Sequence, residues 1–291
     1  MQIQFLGTGA AEGVPAAYCR CPVCQGVRER GGIEVRSRAS IRIDSEYQID
    51  IPPDNYLQMM RLGTDMFDVR HLMISHTHGD HLSLTAISDK AMSLEMNGDP
   101  LIVYISKPGL EYASKFIEGG PLSEQYDSQH KAMIDIRILD YFTTVPVGDM
   151  QADIVAGNHK GFGENEKSIN YLLTAEDGSS VLYALDTGYY TDESFEYLEG
   201  KRTDSLVLDC TFAGRTDRAE FPFGHLDLMS FIRMLEKMTS IGFIDSTTKV
   251  FASHLNSHQG LTHWEIQERF DASPFEVTVA HDGLIAEIEG R

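Results

Sequence analysis

Apolar residues in this chain gather in short runs that stop at Gly, Pro, Asp or His instead of continuing at helical spacing, the pattern of buried strands entering loops. It predicts strands at 2–6, 39–44, 47–51, 72–74, 101–105, 152–156, 168–174, 180–185, 205–210 and 250–252. The strands at 39–44 and 47–51 read as a pair, and those at 168–174 and 180–185 as a hairpin around Asp177-Gly178. A further hairpin is expected across Asp282-Gly283. Helical spacing appears at 55–61, 83–96, 108–118, 226–240 and 262–270. Asp54, just after Pro52-Pro53, is placed to cap the first of these, and Met92 and Met96 in the second read as core filling. Residues 119–133 are polar and irregular, a lid or a long loop. No linker, low-complexity tract or internal repeat interrupts the pattern.

One strand end stands apart. The run Leu72-Met73-Ile74 opens into Ser75-His76-Thr77-His78-Gly79-Asp80-His81, which puts four metal-ligand side chains within six residues. His76 and His78 can close on one cation while Asp80 and His81 face a second. The chain holds 11 histidines in 291 residues, so a grouping this dense points to a metal site, and to one for two metals. Later strands repeat the theme, since His159, Asp186, His225 and His254 each close or follow an apolar strand and open a loop. Strand ends on one edge of a sheet converge, so residues that mean little singly become a set. Asp50, an acid inside an apolar strand, is either a solvated edge residue or a group that fixes the tautomer of a ligand histidine.

Composition changes the picture in two ways. The net charge is −20, from 24 basic and 44 acidic residues, which repels polyanions and counts against a nucleic-acid surface. No apolar run is long enough to span a membrane, and the start lacks a basic, apolar leader, so the expected location is cytoplasmic. In that reducing compartment the crowding of Cys19-Arg20-Cys21-Pro22-Val23-Cys24 reads as a metal site before it reads as a disulfide, whereas Cys210, in an apolar run, reads as an inert buried thiol. The glycines of residues 7–13 invite a dinucleotide-fingerprint reading, but their spacing is wrong and the cysteines follow where an apolar helix should; the stretch reads as a loop passing close to the site.

His76-x-His78-x-Asp80-His81 followed in order by His159, Asp186 and His254 resembles the metallo-β-lactamase superfamily. Gly9 to Pro15 with Cys19-x-Cys21-x-x-Cys24, Asp209-Cys210, Gly224-His225-x-Asp227, Ser253-His254 and Ser257-His258-Gln259 look like its phosphoribosyl cyclic phosphodiesterase branch. The resemblance implies an α/β fold, a four-layer αβ/βα sandwich, as one domain over 1–291 with two pseudo-symmetric halves at about 1–145 and 146–291. It implies a first metal on His76, His78 and His159, a second on Asp80, His81 and His254, and Asp186 bridging them. The cysteines would hold a separate structural zinc with His258 as fourth ligand. His254 and His258 stand one position further apart than that branch leads one to expect, which makes His263 a rival, and the loop at 161–166 looks longer than in the branch.

The implied activity is a metal-dependent phosphodiesterase acting on a small cyclic phosphate such as 5-phosphoribosyl 1,2-cyclic phosphate, in which two cations activate a hydroxide and clamp the phosphoryl oxygens. Asp80 and His225 are the residues expected to be catalytic, His225 as the acid that protonates the departing sugar oxygen; its other reading is a helix-start residue facing solvent. Histidine and carboxylate ligands suit Zn, Mn and Fe alike. The expected partner is a small phosphorylated substrate, without nucleic acid or membrane, and the resemblance is compatible with a homodimer. Other outcomes are a nuclease, lactonase or thioesterase of the same superfamily, or a non-catalytic cofactor-biosynthesis relative. The latter usually loses ligands, and this chain keeps all seven active-site positions.

Overall fold

A computed structural model describes residues 1–92, 99–120, 123, 133–258 and 260–290. The strands form two seven-stranded mixed sheets. The first contains β1 (Gln2–Gly7), β2 (Ser40–Ile43), β3 (Tyr47–Ile49), β4 (His71–Met73), β5 (Leu101–Ser106), β6 (Ile134–Leu139) and β14 (Ile285–Glu287), in the order β14-β1-β2-β3-β4-β5-β6. The second contains β7 (Thr144–Val147), β8 (Met150–Lys160), β9 (Lys167–Thr174), β10 (Ser180–Ala184), β11 (Ser205–Asp209), β12 (Lys249–Ser253) and β13 (Val277–Val279), in the order β13-β12-β11-β10-β9-β8-β7. Each sheet has antiparallel pairings on one side, β14 to β3 and β7 to β10, and parallel pairings on the other.

The alternation of apolar residues explains why these sheets must stack. In β10 and β11, Val181, Tyr183 and Val207 point into a core shared with Ile3, Phe5, Ile41 and Ile43 of the first sheet. Their neighbours Leu182, Ala184, Leu206 and Leu208 point the other way, onto Phe195, Leu198, Phe231, Met234 and Phe270. Both faces are therefore apolar, as expected of strands buried on two sides. Those outer partners lie on α5 (Asp192–Leu198), α6 (Leu228–Ser240) and α7 (His263–Asp271). The first sheet is covered likewise: Leu72, Ile74, Val103 and Ile105 meet Ile87 of α3 (Leu84–Met92) and Leu110 of α4 (Lys107–Ile117). Helices, sheet, sheet, helices make the expected four-layer sandwich. Burying one such Leu, Ile or Phe is worth about 1.5–3 kcal/mol, so the stacking dominates the fold's stability.

Three expectations are corrected. The hairpin across Asp282-Gly283 does not form: β13 pairs parallel with β12 in the second sheet, while β14 pairs antiparallel with β1 in the first. The turn carries the chain between sheets, and the Asp282 carboxylate fastens it by accepting from the amides and hydroxyls of Thr8 and Ser37. Asp54 precedes α2 (Asn55–Leu62) but makes no side-chain cap, because its carboxylate accepts from the Arg38 amide at 2.9 Å and guanidinium at 2.8 Å. His159 lies inside a strand that runs on to Lys160, not beyond its end. The expected helix at 83–96 is seen as α3; the rest of it, with Met96, and most of the 119–133 stretch lie outside the described residues. Among the described residues no helix is long and apolar enough to cross a membrane.

Candidate metal centre

β10, β11 and β12 are mutually parallel, and β8 runs in the same sense because two antiparallel pairings separate it from β10. Their C-terminal ends therefore share one edge, which carries His159, Asp186, Asp209 and His254. Across from it β4 ends in the histidine loop, joined to the second sheet where the Ile169 amide donates to Ser75 O at 2.8 Å. Asp50, Asp186 and His254 all have positive φ, at 62°, 48° and 60°. Such backbone costs on the order of 1–3 kcal/mol at each position and clusters at functional sites.

The side chains resolve into two groups sharing one carboxylate. In the first, His76 Nε2 and His159 Nε2 lie 3.0 Å and 3.2 Å from His78 Nδ1, and 4.0 Å and 3.5 Å from Asp186 Oδ1. In the second, His81 Nε2 lies 2.9 Å from Asp186 Oδ2 and 3.3 Å from Asp80 Oδ2, while His254 Nε2 lies 3.1 Å and 3.6 Å from the same two oxygens. These separations are near the edge, about 3.3 Å, of a tetrahedron with ligand distances of about 2.0 Å.

A direct test of fit is available in this second group. His81 Nε2, His254 Nε2 and Asp186 Oδ2 are buried and make no hydrogen bond, although 2.9 Å and 3.1 Å would suffice by distance. The atoms face a common point and not one another, which a cation satisfies and hydrogen bonds do not. The residues present therefore fit two divalent ions.

The electrostatics agree. Burial pushes His76 and His78 below the ordinary histidine range and His159 down to about 4, leaving the rings neutral, each with one nitrogen lone pair free for a metal, as ligands must be. Burial alone would raise Asp186, but His254, His81 and His225 hold it far below the usual carboxylate range. Asp80 is likewise held low, chiefly by His81 against burial. Burial would lower His81, yet the carboxylates of Asp80, Asp186 and Asp50 raise it well above its usual value. A divalent cation would take over that compensating positive charge and release the proton.

Behind the ligands sits a layer of acceptors. Asp50, completely buried, faces His81 Nδ1 at 2.7 Å and accepts from the Ser75 amide and hydroxyl at 2.8 Å and 2.9 Å. This decides between its two readings, since it fixes the His81 ring and no edge residue is that buried. Asp209 plays the same part on the opposite side: Oδ2 faces His225 Nδ1 at 3.0 Å and His254 Nδ1 at 3.5 Å, and Thr211 Oγ1 lies 2.7 Å from His254 Nδ1. His225 Nδ1 is 3.6 Å from Asp186 Oδ1. Burial would depress His225, but Asp209 and Asp186 push it up to about 9. Asp209 enters the sequence reading only through the resemblance, and neither it nor Thr211 nor Glu166, whose carboxylate accepts from Thr77 between two ligands, was assigned a role there. Asp209 could have been, because it closes an apolar strand as Asp186 does.

The sulfur atoms of Cys19, Cys21 and Cys24 lie within 4.8 Å of one another and form no disulfide. Each accepts a backbone amide: Cys19 from Cys21, Cys21 from Cys24, and Cys24 from Ala16. Burial opposes ionisation of Cys21, but the Cys24 amide helps hold its thiol below the usual range. Neither rival fourth ligand joins the group. His258 is half exposed, with Nε2 4.0 Å from Glu12 Oε1, and His263 Nδ1 faces Arg36 Nη2 at 2.8 Å. Ser257 is the residue against the sulfurs, its hydroxyl 3.1 Å from Cys24 Sγ.

Residues 49–254, most of the chain, match the family model described as the beta-lactamase superfamily domain. The chain belongs to the metallo-β-lactamase superfamily. It is accordingly a metal-dependent hydrolase. No curated protein sequence matches it. Among solved structures, a diphosphatase of the PhnP family is 22% identical with a TM-score of 0.72, covering 98% of this chain and 96% of that one. Zn²⁺-bound PqqB from Methylobacterium extorquens is 17% identical with a TM-score of 0.74, covering 99% and 100%. The short form of human tRNase Z is 16% identical with a TM-score of 0.58, covering 99% of each chain. At these identities the structures speak for the fold.

Proposed function

We propose that this superfamily member is a phosphodiesterase cleaving a small cyclic phosphate, of which 5-phosphoribosyl 1,2-cyclic phosphate is an example. The observation that carries the reading is the division of Asp186 between two ligand groups, Oδ1 facing His76 and His159 and Oδ2 facing His81 and His254. Two divalent ions, zinc or manganese, would supply Lewis acidity to phosphoryl oxygens and acidify a water. The ligands are His76, His78 and His159 on one side and Asp80, His81 and His254 on the other, with Asp50, Asp209 and Thr211 holding the rings in register. A structural zinc on Cys19, Cys21 and Cys24 belongs to the same proposal, with a closing move of His258 onto the thiols.

His225 supplies what the ions do not. A sugar alkoxide leaves poorly, so cleavage needs a proton at the departing oxygen. Asp209 engages His225 Nδ1 and keeps the ring beside Asp186, leaving Nε2 as the nitrogen that can meet the leaving group. A diphosphatase and a tRNase among the similar structures also favour phosphoryl chemistry. A cytoplasmic enzyme working on a small phosphorylated substrate, alone or as a homodimer, fits this reading.

The test is a panel run on zinc- and manganese-loaded protein: the ribosyl cyclic phosphate, bis(p-nitrophenyl) phosphate, a lactone and a thioester. Turnover of the cyclic phosphate is expected, with His225→Ala losing on the order of 10²–10⁴ there and clearly less on the nitrophenyl diester, whose leaving group hardly needs a proton. Lactone or thioester hydrolysis without any diester cleavage overturns the substrate class.

A further inference from the structure

Two phenylalanines at the metal centre stay more than half exposed, although one of them, Phe162, also meets Tyr112 with ring centres 5.5 Å apart. Phe162 and Phe223 are 56% and 55% exposed, and each lies against a ligand histidine. The Phe162 ring is 4.6 Å from His78, and the Phe223 ring is parallel to His159 within 9° at 6.2 Å. A single exposed apolar side chain needs no reason. Here two come from separate loops to the same three-histidine group.

Both loops are tied to the ligands they overlook. The Phe162 amide donates to Thr77 Oγ1 at 2.9 Å, and Thr77 sits between His76 and His78. Glu166 closes that loop from below, accepting from Thr77 and from the Gly163 amide at 2.7 Å. On the other side Gly224 donates to Asn158 O at 2.9 Å, next to His159, and the Tyr189 amide donates to Pro222 O at 2.8 Å. The fit there is close: a Cβ at Gly188 would stand 2.7 Å from Asn158 O and 2.8 Å from Gly224 N. The backbones that carry the rings are thus tied down before any ligand arrives, and pre-ordered loops lose little entropy on binding. Charge adds a reason for them. A chain of net charge −20 gives an anionic substrate no long-range attraction beyond the metal ions themselves, so uncharged contacts to the rest of the substrate add affinity that the protein's charge does not.

We propose that Phe162 and Phe223 are specificity-determining residues that receive a planar aromatic group, a nucleobase or aryl ring, borne by the phosphodiester whose phosphorus meets the metal centre. The proposal rests on the phosphodiesterase reading and sharpens it: among small cyclic phosphates those bearing an aromatic ring are the preferred substrates, and a base-free ribosyl cyclic phosphate is turned over less efficiently.

The experiment compares two diesters alike at phosphorus, adenosine 2′,3′-cyclic phosphate and the base-free methyl riboside 2,3-cyclic phosphate, on the metal-loaded enzyme. The native enzyme is expected to favour the base-bearing one by tenfold or more in kcat/KM, mainly through KM. Phe162→Ala and Phe223→Ala each reduce that ratio roughly tenfold, the scale of one base–aromatic stack, at unchanged metal content. Phe162→Tyr and Phe223→Tyr, which keep the ring, retain the ratio. A native ratio near one, or a ratio that survives both alanine variants, overturns the proposal while leaving the phosphodiesterase reading standing. If no diester is turned over, that reading falls instead, and calorimetry of adenosine monophosphate against ribose 5-phosphate decides on the rings. Preference for the base lost in the double alanine variant supports them; equal affinities overturn them.

Discussion

The histidine–carboxylate centre and the cysteine cluster are both groups of side chains that could hold a metal, yet the fold prepares them differently. Around the histidines nearly every ligand is buried, and the rings of His81 and His254 are oriented from behind by Asp50, Asp209 and Thr211. Buried nitrogens and a carboxylate oxygen are left without a hydrogen-bond partner. Around the cysteines two of the three thiols are partly exposed, every sulfur has an amide donor, and among the described residues no histidine stands within reach. The difference follows from topology. Parallel strand ends converge whether or not an ion is present, whereas a zinc on the cysteines, as proposed, would need a surface loop to swing a fourth ligand inward. One site is built by the sheets; the other would be finished by its metal.

The largest effect expected from this contrast lies at the shared carboxylate. Asp186→Ala removes a ligand from both groups at once and should cost at least about 100-fold in turnover, as should Asp80→Ala. Both variants should fold, since the sandwich core does not depend on either side chain, and circular dichroism with metal analysis would separate lost metal from lost structure. Activity near the native level in Asp80→Ala would mean that the second ion is not needed.

One step further out, Asp209→Asn keeps the shape but removes the charge facing His225 and His254. A loss of about 10–100-fold in metal affinity or activity is expected, the usual penalty for altering a group that orients a ligand. Smaller still should be the catalytic effect of Cys21→Ser. It should remove one zinc per chain and lower the melting temperature while leaving the active-site ions in place, which elemental analysis beside a thermal melt would read. His258→Ala should lose the same zinc. Were His263→Ala to lose it instead, the rival ligand would be correct.

How far the sequence revealed these two regions follows the same division. The run from Ser75 to His81 was legible because ligand density within one loop needs no knowledge of tertiary structure. His159, Asp186 and His254 could be joined to it because strand ends on one edge converge. Asp209 stands at a strand end just as legibly, but an acid there says nothing about which ring it will face, so its position was visible and its role was not. The stretch across Asp282-Gly283 reads as a hairpin because a turn signal is local, while the choice of sheet depends on edges far away in sequence. Asp54 shows a similar limit: its cap position was visible, but the competing Arg38 was not.

The smallest predicted effect separates His263 from the thiols by its titration. Arg36 Nη2 lies 2.8 Å from His263 Nδ1, and a guanidinium can only donate, so Nδ1 accepts and the proton of the neutral ring sits on Nε2. Burial first, and the Arg36 charge next, push this histidine down to about 4, against an ordinary value of 6.5. Since the folded value is the lower one, the unfolded chain takes up the proton first as the solution is acidified. The stability tied to the neutral ring is therefore complete above about pH 6.5 and is lost as pH falls from there toward 4. Allowing for partial solvent access, the loss should amount to about 1–2 kcal/mol. His263→Asn keeps an acceptor near the Nδ1 position and cannot protonate. Urea unfolding at pH 7 and pH 4.5 should thus show a smaller acid-induced drop for the variant than for the native chain, with the zinc content at pH 7 the same in both. An equal drop in the two proteins would remove His263 as an acid-sensitive contact. A variant lacking one zinc would place the ring among the thiols, and the cysteine cluster would then be as fully built by the fold as the histidine centre.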